Sequence, residues 1–132
     1  MSIRFTPDNN TAIVRYQVSD LERSLKFYTD QLGFHPIQRG GPVFIIARGN
    51  LHLLLSGPGA SGNRPMPDGT QQHSGGWNRI VLYVDELDAS INALKKAHTS
   101  FRSAVESGPG GRQILLDDPD GNPIELHEAP KR

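Results

Sequence analysis

The chain has no cysteine, a single tryptophan and a formal net charge of +0, and each scarcity removes a class of function. Without thiols there is neither a disulfide framework nor a thiolate metal site, so any metal would have to be held by histidine, carboxylate and water. The same absence suits a reducing compartment, and a cytoplasmic location is expected. Basic and acidic side chains number 14 each, which builds in no overall attraction to nucleic acid or to an anionic membrane. No stretch approaches the roughly 20 apolar residues of a membrane span, and the opening MSIRFTPDNNTAIV lacks the apolar core of a signal peptide. Neither nucleic acid nor membrane is an expected partner. The 132 residues suffice for one modest core, so 1–132 is read as a single domain.

What the chain does have is frequent punctuation, with 14 glycines and 10 prolines between short apolar runs. Residues 13–18 read as a strand, after which Ser19 or Asp20 offers a capping oxygen. Leu21, Leu25, Tyr28 and Leu32 then recur at i, i+4, i+7 and i+11, one face of a helix, and Gly33 stops it. Short strands over 34–39, 43–48 and 51–55 follow, separated by Gly40-Gly41 and Gly49-Asn50 turns. Residues 57–76 show neither period and read as a connecting segment, with a lid over a pocket as the more specific alternative.

Beyond it the order returns. A strand over 78–84 leads to a helix over 86–97 with Leu87, Ile91 and Leu94 inward, then a weak strand over 101–105. Strands over 113–116 and 123–127 are joined by the turn Asp118-Pro119-Asp120-Gly121-Asn122. Setting Val18 on Val84 pairs Asp20 with Glu86, Leu21 with Leu87, Glu22 with Asp88, Ser24 with Ser90 and Leu25 with Ile91. The expected class is α+β: two tandem β-α-β-β-β units, 12–56 and 77–128, joined by the linker 57–76 and forming a curved mixed sheet. Each helix covers one sheet face, and the other face needs the sister unit, a partner chain or a ligand.

The segments VSDLERSLKFYTDQLGF, GGWNRIVLYVDELDASINALKKA and above all DPDGNPIEL resemble the vicinal oxygen chelate superfamily, which holds glyoxalase I, bleomycin-resistance proteins, fosfomycin-resistance enzymes and extradiol dioxygenases. The resemblance spans about Ala12 to Glu128 and implies paired curved sheets, commonly completed by a homodimer. Metal-using members place four ligands on the concave face, at the first and last strand of each unit. The first-strand positions fall here on Ile13 and Arg79, which do not ligate. Glu125 is a competent ligand at the third. The fourth falls between His52 and Leu53; because Leu51, Leu53 and Leu55 form an apolar row suited to the core, His52 is matched to it. No cofactor is therefore expected, with a divalent metal on His52 and Glu125 as the fallback.

The same alternation places Ile13, Arg15, Gln17, His52, Leu54, Arg79, Val81, Tyr83, Glu125 and His127 on the concave face. Arg79 is expected to pair bidentately with Glu125 and to stand where a divalent cation would otherwise sit. Two functions follow from the resemblance. In one, the face binds a small molecule through Arg15, Gln17, His52, Leu54, Trp77 and His127 without chemistry. In the other, a lyase, isomerase or dioxygenase-type enzyme uses Glu125 as base or metal ligand, with Arg79 or Tyr83 stabilising an enolate oxygen. Core or interface packing is the expected role of Trp77. His73 and His98 have no constellation around them, Ser24 and Ser90 have no triad partners, and Gly108 to Gly111 precede a strand rather than a helix, so neither hydrolase chemistry nor nucleotide binding is supported.

Overall fold

In a computed structural model, which describes residues 5–131, the elements run β1 (Ile13–Gln17), α1 (Leu21–Leu32), β2 (His35–Gly40), β3 (Val43–Arg48), β4 (Leu51–Ser56), β5 (Ile80–Tyr83), α2 (Leu87–Lys96), β6 (Glu106–Gly108), β7 (Gly111–Asp117) and β8 (Pro123–Glu128). The fold is the α+β duplication expected from the sequence, and it forms two compact units that divide between Ser74 and Gly75.

The first unit is a four-stranded sheet in the order β1-β4-β3-β2, with β1 parallel to β4 and the other pairs antiparallel. Asp20 starts α1 by accepting the Arg23 N–H at 3.0 Å, and Gly33 ends it in the left-handed conformation that a β-carbon disfavours. Leu25, Tyr28 and Leu32 bury the inward stripe of α1 on a sheet face that supplies Ile46, Leu53 and Leu55. Each such side chain contributes about 1.5–3 kcal/mol on burial. Tyr28 is fully enclosed and meets the Phe34 ring edge-on at 5.4 Å between centroids.

The second unit repeats the order as β5-β8-β7-β6, with β5 parallel to β8. Leu87, Ile91 and Leu94 face inward from α2 as their spacing implies. The start of this helix differs from the first, because Glu86 makes no side-chain cap. Glu128 at the end of β8 replaces it, its Oε2 accepting the Leu87 N–H at 2.7 Å.

The weak strand expected over 101–105 is not formed. Phe101 makes a single bridge to Leu116, and the Leu115 N–H is taken at 3.1 Å by the Ser103 hydroxyl, which displaces the backbone acceptor that a ladder needs. Pairing resumes only at Glu106, so the short strand lies at Glu106–Gly108 and turns into β7 through Gly110. The connecting segment is also not wholly irregular. The Gly57 N–H bonds the Pro42 carbonyl at 2.8 Å, and Ser61–Asn63 form a 3-10 turn packed on the first unit. Among the described residues, no helix is long and apolar enough to cross a membrane.

Candidate functional site

The two parallel ladders define equivalent positions independently of sequence matching. In the first unit Ile13 pairs with His52, Arg15 with Leu54 and Gln17 with Ser56, and the Val18 N–H closes the ladder on the Ser56 carbonyl at 2.9 Å. In the second, Val81 pairs with Glu125 and Tyr83 with His127, and the Val84 N–H closes on the His127 carbonyl, also at 2.9 Å. Val18 and Val84, matched in the sequence repeat, thus make the same bond. It follows that Ser56 corresponds to His127 and Leu54 to Glu125. By this register His52, matched to Glu125 from the sequence, shares the face of Leu54 but stands two residues before the counterpart of Glu125.

Alternation sorts the faces as the strand period requires. Leu53 and Leu55 are fully buried on the helix side, and Arg15, Gln17, His52, Leu54 and Ser56 point to the other. His52 lies stacked against the Phe5 ring at 4.9 Å between centroids. Arg15 donates from Nη1 to the Ser56 hydroxyl at 3.0 Å, and Gln17 donates from Nε2 to the Gly62 carbonyl at 3.1 Å.

The second unit gathers Arg79, Glu125, His127 and Tyr83 on one face. Arg79 contacts Glu125 as expected, but not in a fork over both oxygens: its Nε and Nη2 converge on Oε1 at 3.1 and 2.9 Å. The other oxygen, Oε2, lies 3.0 Å from His127 Nδ1, while His127 Nε2 lies 2.9 Å from the Gly110 carbonyl. Both neighbours of the imidazole are acceptors, so both bonds exist together only when the ring carries two protons. The Gly110 carbonyl, followed by the Glu125 carboxylate, accordingly raises the pKa of His127 above its ordinary value. Burial opposes the charged form of Glu125, but the hydrogen bonds from His127 and Arg79 outweigh it and hold the carboxyl below its usual range.

Around this network the surface is apolar and open. Val81 is 46% exposed and Tyr83 60%, with the Tyr83 ring tilted against His127 at 4.9 Å between centroids. Trp77 is 70% exposed and so not a core residue; the Arg102 guanidinium stacks on it at 4.8 Å. Arg102, which the sequence did not single out, donates to Asp117 Oδ1 and the Gly76 carbonyl at 2.6 Å each and to the Gly121 carbonyl at 2.8 Å. Nothing in its local sequence marks it, because its partners, one carboxylate and two backbone carbonyls, are brought together by the chain path. Gly110 had a signal in the GPGG turn, though not one that pointed to His127.

The donor set does not fit the family's metal. Of the four equivalent positions, Ile13, Leu54 and Arg79 offer no ligand, and both oxygens of Glu125 are engaged. Among the described residues no group of three or more His, Cys, Asp or Glu side chains is placed to hold a metal ion.

The sequence profile of the Glyoxalase/Bleomycin resistance protein/Dioxygenase superfamily matches residues 11–126, and the chain belongs to that superfamily. No curated protein matches it. Among solved structures it is similar to a lactoylglutathione lyase from Agrobacterium tumefaciens, at 22% identity and a TM-score of 0.65 over 92% of this chain and 96% of that one. It is similar to TnmS3, an antibiotic binding protein from Streptomyces sp. CB03234, at 23% identity and a TM-score of 0.64 over 94% and 100%. It is also similar to the fosfomycin resistance protein FosX from Listeria monocytogenes, at 16% identity and a TM-score of 0.71 over 94% and 96%. At these identities the likeness shows the fold.

Proposed function

We propose that the chain is a small-molecule-binding member of the superfamily, taking its ligand on the open sheet faces without the family's metal. The observation that carries this reading is the occupation of Glu125. Arg79 holds one oxygen and His127 the other, so the carboxylate is a poor metal ligand and, with its pKa held low, a weak general base. What the face of the second unit offers instead is Tyr83 and Val81 as apolar contacts beside a fixed polar floor, the usual composition of a binding site. In the first unit Arg15, Gln17, His52 and Leu54 are the corresponding contacts. The same reading takes the chain to be a cytoplasmic homodimer, as its lack of cysteine and its superfamily suggest.

The test is a thermal-shift screen of the purified chain against divalent ions and a metabolite panel that includes neutral aromatics, with mass spectrometry of whatever is released and sedimentation for the oligomeric state. A ligand that raises Tm, is recovered unchanged and loses affinity in Tyr83→Ala supports the binder. A stoichiometric metal lost in Glu125→Gln, or turnover of the ligand abolished by that variant, would overturn it in favour of the enzymatic alternative with Glu125 as ligand or base.

A further inference from the structure

The two units put opposite charges on the same rung. In the second, Glu125 faces Val81 and is neutralised by Arg79 and His127; in the first, Arg15 faces Leu54, an apolar side chain. Arg39, Arg79, Arg102 and Arg112 each pair with a carboxylate. Among the described residues Arg15 pairs with none, and its side-chain partner is the neutral hydroxyl of Ser56.

The surroundings of Arg15 are nevertheless built. Ser56 is fully buried, and its hydroxyl donates to Asn63 Oδ1, leaving a lone pair for Arg15 Nη1. Asn63 Nδ2 returns a bond to the Ser56 carbonyl at 3.2 Å, which fixes the relay from both ends. The amide of Gln17 holds the Gly62 carbonyl, and Gly62 lies so close beneath the guanidinium that a β-carbon there would overlap it. Four neutral residues therefore set the position of a cation without reducing its charge.

From this arrangement we infer that Arg15 is the receptor for an oxyanion group of the ligand, a carboxylate or a phosphoryl group. A guanidinium has five N–H donors in a planar fork, and the Ser56 contact uses only one side of it. The remaining donors match two oxygens of an oxyanion at once, a geometry that a lysine ammonium does not reproduce. Positioning by Ser56, Asn63, Gln17 and Gly62 removes part of the ordering cost at the moment of binding. The inference rests on the small-molecule reading above and adds the charge of the ligand to it.

The experiment is an NMR titration of the 15N-labelled full chain with acetate for the carboxylate arm, methylphosphonate for the phosphoryl arm and acetamide as the neutral control. At least one oxyanion should give saturating shifts at the Arg15 side chain and at the Ser56, Gly62 and Asn63 amides, and acetamide none. Arg15→Gln should abolish saturation. Arg15→Lys should weaken it about ten-fold, since the charge remains and the fork is lost. Gly62→Ala should weaken it while keeping the charge. Shifts no larger than those from acetamide, or equal binding by Arg15→Gln, would overturn the assignment; the wild-type titration decides even if that variant does not fold. If the oxyanions fail while neutral members of the metabolite panel bind, the anion assignment alone falls. If the panel fails as well, the binding function falls with it.

Discussion

Leu54 stands in the first unit on the rung that Glu125 occupies in the second, opposite Arg15 rather than opposite Val81. A carboxylate introduced there has a cation across the strand to meet. Leu54→Glu is expected to pair with Arg15 and to erase its oxyanion response in the NMR titration. Because the pair is exposed on one side, the accompanying change in unfolding free energy should stay within about 1 kcal/mol. Unchanged acetate shifts in this variant would show that Arg15 is not the receptor.

Removing Arg79 leaves a buried carboxylate with only His127 to satisfy it. Arg79→Ala should lower the unfolding free energy by about 1–3 kcal/mol, the cost of an under-bonded buried polar group. Replacing both partners, Arg79→Met with Glu125→Leu, should recover most of that loss, because an apolar pair requires no desolvation of charge. Urea denaturation of Arg79→Met, Glu125→Leu and the double variant closes the cycle.

The protonation of His127 gives the second unit a dependence on pH whose direction is fixed. Its pKa is raised by the Gly110 carbonyl and by Glu125, so its contribution is complete below about pH 6.5 and disappears as the pH rises through the elevated folded-state value. The pKa of Glu125 is held low against its burial, so its contribution is complete above about pH 4.3 and is lost as the pH falls through the depressed value. Urea midpoints measured from about pH 5 to 9 should therefore decline on the alkaline side for the native chain, and this decline should be smaller in His127→Gln. The same slope in both proteins would show that the imidazolium does not bridge Glu125 to Gly110.

The helix caps make a paired comparison. Glu128→Ala removes the acceptor for the Leu87 N–H in a buried setting and should cost about 1–3 kcal/mol. Asp20→Ala removes an exposed cap and should cost about 0.5–2 kcal/mol. Glu128→Gln, which keeps a carbonyl oxygen, should fall between the native chain and Glu128→Ala in thermal unfolding.

Face assignments were legible in the sequence because they depend only on a period of two: Leu53 and Leu55 inward, Leu54 and Ser56 outward. Helix faces were legible for the same kind of reason, as Leu87, Ile91 and Leu94 show. Register was not. Whether Glu125 corresponds to His52 or Leu54 is decided by the Val18 and Val84 bonds across parallel ladders, and the turns before β4 and β8 differ in length, so a count from either turn misleads. The contact between Arg79 and Glu125 could be expected from an arginine standing at a ligand position beside a retained carboxylate, but the convergence on one oxygen follows from His127 holding the other. The misplaced strand at 101–105 has a similar origin, since the Ser103 hydroxyl displaces a backbone bond that local propensity does not describe.

The stretch after β4 offers protein engineers a boundary. Up to Asn63 it is tied to the first unit through Ser56, Gln17 and the Gly62 approach, and an insertion there would separate the guanidinium from its support. Beyond it the chain runs exposed, and the reverse turn at Met66 closes on itself, its amide bonded to the Thr70 carbonyl and its carbonyl to the Gly69 amide, both at 2.8 Å. Pro67 and Asp68 at the tip of that turn are the place to splice an affinity tag or a reporter domain, since foreign sequence there would leave both sheets untouched.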